Sequence, residues 1–217
     1  LCVNGLLLRH GKTCEDCLTG KNGWPGFVRG CFRSSPLYSF PVFLTQAVHR
    51  LRKTWERQVD RYIALSDFGR RKLVEGGLPS DRFTVKPNFL PNAPRPDRES
   101  GDYAVFVGRL TEEKGIGLLL DSWKRSVGGA GTGTFGLKVI GEGTMRSELE
   151  RCARSGGPGG SQGMPGPIEF TGQLPHDEVM KLVVKSRFLV LPSLCYEMFP
   201  LAVIEAFACG KPVIGSR

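Results

Sequence analysis

Phe188-Leu-Val-Leu-Pro-Ser-Leu-Cys-Tyr-Glu197-Met-Phe-Pro200-Leu-Ala-Val-Ile-Glu205-Ala-Phe-Ala-Cys-Gly210-Lys-Pro-Val-Ile214 contains a whole strand–helix–strand unit. Phe188–Leu191 is a continuous apolar run, which reads as a buried strand. Pro200 suits the first position of a helix, where its missing N–H is not needed. Gly210 suits a left-handed cap at the other end. Pro212–Ile214 then opens a second apolar run. Buried strands separated by a helix are the building block of a parallel sheet covered on both faces. Within this unit Glu197 and Glu205 are separated by seven residues. Glu197 falls in the turn at the helix mouth and Glu205 about one turn inside the helix. The unpaired N–H groups of a helix start favour an anion such as phosphate. Carboxylates accept hydrogen bonds from sugar and ribose hydroxyls. Together these groups suit a nucleotide sugar.

The same rhythm extends back to Tyr103. Strands are expected at Tyr103–Val107, Leu137–Ile140 and Ile168–Thr171, and helices at Glu112–Arg125, Thr144–Arg154, Asp177–Ser186 and Pro200–Cys209. Ligands of such sheets sit at the carboxyl ends of the strands. Arg109, Gly141 and Glu197 all follow strand ends and are expected to face one crevice. Glycine-rich loops at Gly128–Gly136 and Gly156–Gly166 read as surface insertions.

Residues 90–102 hold three prolines without periodicity and read as a linker. It separates a partial first domain, 1–89, from a second domain, 103–217. Residues 1–35 read as a Cys-rich loop. Phe40, Phe43, Leu44, Ala47, Val48, Leu51, Trp55 and Val59 recur at helical spacing and predict one amphipathic helix. Arg61–Leu65 and Phe83–Lys86 read as strands, with a helix capped by Ser66 or Asp67 between them.

The chain has 217 residues, is 40% hydrophobic and carries a net charge of +9. This is ordinary globular composition. Eight basic residues lie between Arg50 and Lys72, against Glu56, Asp60 and Asp67. That balance suits an anionic partner or a solvated basic helix face. No groove-reading or base-stacking motif accompanies it, so a nucleic-acid partner is not expected. No apolar run approaches the roughly 20 residues that span a bilayer. The expected location is cytoplasmic, with peripheral contact at the inner membrane face through the basic 50–72 segment. The chain starts at Leu1 and stops just after a strand, which reads as a fragment cut at both ends.

Gly131-Thr-Gly-Thr-Phe-Gly136 matches a dinucleotide fingerprint, but it precedes a strand, whereas that mechanism needs it between a strand and a helix. Gly5–Thr13 has the wrong spacing for a phosphate loop and leucines where turn residues are needed. Cys14 and Cys17 form a C-x-x-C pair flanked by Cys2 and Cys31. Four such thiols read either as a structural zinc site or as unliganded or redox thiols. Cys152, Cys195 and Cys209 lie in or beside apolar stretches and read as packing residues. His10, His49 and His176 suggest no triad or catalytic metal site.

Tyr103-Ala-Val-Phe-Val-Gly-Arg-Leu-Thr-Glu-Glu-Lys-Gly115 resembles the opening of the C-terminal domain of GT-B glycosyltransferases of family 4. Leu137–Gly143, Phe170–Glu178, Leu191–Leu201 and Glu205–Val213 resemble the family's following blocks in the same order. The resemblance is dense over 103–217 and looser before it, where Lys86-Pro-Asn-Phe89 is similar to the family's hinge. It implies an α/β, GT-B-type fold of two Rossmann-like lobes, and a retaining hexosyltransferase. The donor would be a UDP- or GDP-sugar and the acceptor a glycan or lipid-linked molecule, with no cofactor required for catalysis. Arg109 and Lys114 would bind the diphosphate and offset charge on the leaving nucleotide. Glu205 would hold the ribose, and Glu197 the transferred sugar together with the backbone N–H groups of Phe199 and Leu201. Leu174 would meet the base through its backbone, and Gly108 and Pro200 complete the donor set. Met198 and Pro200 stand where the family often has glycine, and Pro200 removes one N–H from the helix mouth. The alternatives are a non-catalytic nucleotide-sugar-binding module and a nucleotide-sugar epimerase of the same fold.

Overall fold

The structure is a computed structural model that describes residues 1–91, 96, 101–125, 135–154 and 168–216. The glycine-rich stretch 156–166, and most of both the 128–136 loop and the 90–102 linker, lie outside the described residues. The chain forms two compact units. One holds Leu1–Asn88 and Cys195–Phe199, and the other holds Phe89–Leu194 and Pro200–Arg217.

The first unit opens with a small antiparallel hairpin, β1 (Leu8–Arg9) and β2 (Lys12–Thr13), followed by the short helices α1 (Asp16–Thr19) and α2 (Trp24–Val28). The expected Cys-rich loop therefore carries secondary structure, and Val3, Leu7, Leu8, Cys17 and Leu18 form a small buried set in it. Helix α3 runs over Pro36–Leu51, and α4 follows at Thr54–Arg57. The single amphipathic helix read over 40–59 is thus broken. Lys53 takes a left-handed backbone (φ 51°) that ends one helix and starts the next. Phe40, Leu44 and Leu51 remain exposed. Strand β3 (Tyr62–Ala64), helix α5 (Asp67–Glu75) and β4 (Phe83–Val85) make a parallel pair with a crossover helix. Ser66 is the N-cap of α5 and its hydroxyl accepts the Gly69 amide.

The second unit is the sheet expected from the sequence. Its strands are β5 (Tyr103–Val107), β6 (Gly136–Ile140), β7 (Ile168–Gly172), β8 (Phe188–Leu191) and β9 (Val213–Gly215). They are all parallel, in the order β7-β6-β5-β8-β9. The helices are α6 (Ile116–Arg125), α7 (Arg146–Arg154), α8 (His176–Lys185) and α9 (Leu201–Ala208). Successive side chains of a strand point to opposite faces. On one face Ala104 and Phe106 join Ile116, Leu119, Leu120 and Leu149 in one buried cluster. On the other, Val105 and Leu189 join Val179, Met180, Val183 and Ala206 in a second. Full burial of side chains this size stabilises by about 1.5–3 kcal/mol each, so both faces are firmly closed. This leaves the carboxyl edge of the sheet as the place for chemistry. Cys209 is buried, but Cys152, read as a packing residue, is exposed. Helix α7 buries only Leu149, so Cys152 sits on its solvent side.

Candidate active site

The strand order reverses between β5 and β8, which is where a crevice opens beyond the strand ends of such sheets. From β5 the chain passes through Gly108 and Arg109 into a 3-10 turn, Glu112–Lys114. Gly115 follows with a left-handed backbone (φ 67°), and α6 begins. The Leu194 amide, beyond β8, donates to the Glu113 carbonyl at 2.9 Å and ties the two loops together. A Cβ on Gly115 would lie 1.9 Å from the Pro192 carbonyl oxygen, and one on Gly141 (φ 139°) 2.0 Å from that of Gly108. Both positions need glycine for conformation and for space. They let the loops after β5, β6 and β8 close against one another by backbone alone.

Arg109 Nη2 lies 3.1 Å from Glu113 Oε1, with the arginine largely exposed and the glutamate mostly buried. One turn of chain carries Lys114 just beyond. Across the switch point, α9 presents Glu205, a carboxylate only 8% exposed. His176 Nδ1, at the start of α8, is 3.7 Å from Glu205 Oε1. Leu174 sits in the turn between β7 and α8, its side chain packed on the second core cluster.

Pro200 is the N-cap of α9 rather than its first helical residue, and it has an extended backbone. Its missing N–H therefore removes nothing from the helix, and its carbonyl accepts the Val203 amide. At the other end Gly210 (φ 71°) donates to Phe207, and Lys211 to Ala206. That is the paired closure of a Schellman cap.

Glu197 lies in the segment Cys195–Phe199, which packs as part of the first unit. There the Tyr196 hydroxyl donates to Glu15 Oε1, the Ser66 hydroxyl to the Met198 carbonyl and the Asn88 amide to the Phe199 carbonyl.

A family model described as glycosyl transferases group 1 matches residues 101–217. The chain belongs to this family. An uncharacterized glycosyltransferase of Methanocaldococcus jannaschii is 33% identical over 119 residues, 54% of this chain and 30% of that protein. The gpi3 subunit of the phosphatidylinositol N-acetylglucosaminyltransferase of Schizosaccharomyces pombe is 26% identical over 196 residues, 88% of this chain and 41% of that one. The chain thus spans well under half the length of these relatives. Among solved structures, Anabaena Alr3699/HepE in complex with UDP and glucose superposes with a TM-score of 0.60 at 19% identity, covering 76% of this chain and 47% of that one. At that identity the likeness is one of fold, and the fold is the α/β, GT-B type.

In the second unit Gly108, Arg109 and Lys114 follow β5, and Glu205 stands on α9, which follows β8. Leu174, Pro200 and Leu201 lie at the starts of α8 and α9 on that unit, and Glu197 and Phe199 belong to the first. The sequence reading overlooked His176 beside Glu205, and Ser66, Asn88 and Glu15 beside the Glu197 segment. Sequence marks Ser66 only as a helix cap and Asn88 and His176 only as members of family blocks, because each meets its partner through long-range packing.

The zinc expectation is corrected. Among the described residues no group of three or more His, Cys, Asp and Glu side chains is placed to hold a metal ion. Cys17 is buried in the small core, whereas Cys2, Cys14 and Cys31 are half-buried and all are free thiols. Cys2 Sγ donates to Asn4 Oδ1. Burial pushes the Cys17 and Cys31 thiols above their ordinary values, and neighbouring cysteines add to this. Among the described residues no helix is long and apolar enough to cross a membrane.

Proposed function

We propose that the whole protein is a retaining glycosyltransferase that moves a hexosyl group from a UDP- or GDP-sugar to a glycan or lipid-linked acceptor. The observation that carries this reading is the pairing of two features in one unit. Cations Arg109 and Lys114 follow the central strand of the sheet, and the nearly buried carboxylate Glu205 stands on the helix across the switch point. A buried carboxylate without a use is costly, and two ribose hydroxyls are a natural partner for it. Arg109 and Lys114 take the diphosphate and stabilise the charge that develops on the leaving nucleotide, a role for fixed cations. Gly108 allows the backbone a close approach, the Leu174 backbone meets the base, and Pro200 sets the entry of α9. Glu197, with the Phe199 and Leu201 amides, serves the transferred sugar. Binding of UDP in Alr3699/HepE and the phosphatidylinositol acceptor in the gpi3 name support the donor and a lipid-linked acceptor respectively. Exposed Arg52, Lys53, Arg57 and Arg61 suit peripheral contact of a cytoplasmic protein with an anionic membrane face.

The test is nucleotide release by the full-length protein with a panel of nucleotide sugars. Release that depends on acceptor, with product of unchanged anomeric configuration by NMR, supports transfer. Donor binding without release would identify a binding module, and conversion of the sugar without acceptor an epimerase.

A further inference from the structure

Three consecutive ties hold the segment around Glu197, all inside the first unit. Before it, the Tyr196 hydroxyl donates to Glu15 Oε1 at 2.6 Å, and Lys72 Nζ lies 2.8 Å from the same oxygen. The Tyr196 ring meets Phe68 edge-on, with centroids 5.0 Å apart. After it, Ser66 Oγ donates to the Met198 carbonyl at 2.6 Å, and Asn88 Nδ2 to the Phe199 carbonyl at 2.9 Å. Ser66 also accepts the Gly69 amide at 3.2 Å as the cap of α5. One hydroxyl therefore both receives a hydrogen bond from the helix and gives its own to the segment.

We infer that Ser66 is a positioning residue for Glu197 in sugar transfer. The inference rests on the transferase reading of Glu197. A reacting group must be held to about half an ångström to act in a transition state. The Tyr196 side chain on one side of Glu197, and hydrogen bonds to the Met198 and Phe199 carbonyls on the other, supply that restraint. Cap chemistry separates this role from a structural one. Aspartate is as good an N-cap as serine because it accepts the helix amide. When ionised it has no hydrogen to give, and it would set a negative oxygen against the Met198 carbonyl. Threonine has the donor and the acceptor that serine has.

The experiment compares wild type, Ser66→Asp and Ser66→Thr in the full-length protein by thermal unfolding, steady-state kinetics and amide hydrogen exchange over 195–199. Ser66→Asp is expected to keep the melting temperature and the donor KM while kcat falls roughly tenfold to a hundredfold, the cost of a misplaced group. Exchange at Met198 and Phe199 should rise, and Ser66→Thr should restore both readouts. Wild-type kcat and exchange in Ser66→Asp would overturn the inference and leave the transferase reading standing. A fall in kcat matched by a fall in melting temperature, without rescue by threonine, would reduce Ser66 to a helix cap and overturn it too. Exchange is read without turnover. Faster exchange in Ser66→Asp of a protein whose wild type transfers no sugar would overturn the transferase reading, and the inference with it.

Discussion

Met198 packs over Gly69: a Cβ built on Gly69 would lie 3.0 Å from the methionine Sδ. Where the family often has glycine after the first glutamate, this chain has a long side chain, and a glycine on α5 makes room for it. The contact is with the far end of a flexible thioether, which adapts readily. Gly69→Ala should therefore stabilise the first unit by roughly 0.5 kcal/mol, about half the usual advantage of alanine over glycine in a helix. Chemical unfolding measures it. A loss of stability instead would show that Met198 cannot move. Gly69→Leu, which must displace Met198, should destabilise.

Glu15 sets the response of this region to acid. Its hydrogen bonds from Lys72 and Tyr196 hold its carboxyl below the ordinary value of 4.5. A carboxyl lowered in the folded state adds stability that is present above its unfolded value and is lost as pH falls through its folded value. Lys72 is shifted upward by Glu15 and then Glu75, so the same pairing is lost a second time at strongly alkaline pH, where the ammonium deprotonates. Glu15→Gln should thus cost stability at neutral pH, and its deficit should shrink below pH 4.5. Parallel pH profiles of melting temperature for the two proteins would refute this.

Gly115→Ala should disrupt the second unit. The new Cβ would lie 1.9 Å from the Pro192 carbonyl oxygen, in a backbone with φ 67°. The left-handed conformation alone costs roughly 1–2 kcal/mol for a residue with a side chain. The clash is with backbone, which has nowhere to go, because Leu194 is bonded to Glu113 beside it. A lower melting temperature and loss of nucleotide binding are expected together. A variant that binds nucleotide normally would mean that the loops after β5 and β8 are loose.

The second unit was legible because buried parallel strands are continuous apolar runs, and Tyr103–Val107 and Phe188–Leu191 occur where the sequence put them. The end of α9 was legible from capping chemistry at Gly210. The first unit was not, for a physical reason. Its helical pattern from Phe40 to Val59 is apolar enough to read as one buried face, but the break at Lys53 is a backbone choice that residue type does not announce. Nor does sequence reveal that Cys195–Phe199 packs with the first unit, because that follows from Ser66, Asn88 and Glu15 far away in the chain. Four cysteines close in sequence suggested a metal, yet burial of Cys17 turned one of them into core.

Lys114→Ala should weaken binding of a nucleoside diphosphate far more than that of the nucleoside. Lys114 closes the 3-10 turn directly after β5, beside the switch point. A charge-assisted hydrogen bond to phosphate contributes on the order of 1.5–3 kcal/mol, so titration calorimetry should find roughly a tenfold to hundredfold loss for the diphosphate. Equal losses for the two ligands would remove Lys114 from the phosphate site.

Glu205→Gln and Glu197→Gln should fail in different ways. Glu205 stands inside α9, nearly buried, with His176 Nδ1 3.7 Å from its Oε1. From there a carboxylate can accept ribose hydroxyls equally in the ground and transition states. Its loss should weaken donor affinity and raise KM with little change in kcat. Glu197 lies before the mouth of α9, where the proposed role places it beside the sugar. Positive charge grows on the reacting carbon during transfer, and an interaction with it strengthens as the barrier is climbed. Glu197→Gln should therefore lower kcat at least as much as it weakens binding. Steady-state kinetics on the full-length protein, with donor affinity measured separately, decides between the roles. A change in KM alone for Glu197→Gln would make it a plain binding residue. Wild-type behaviour of both variants would remove the two glutamates from the site, and with them most of the case for transfer.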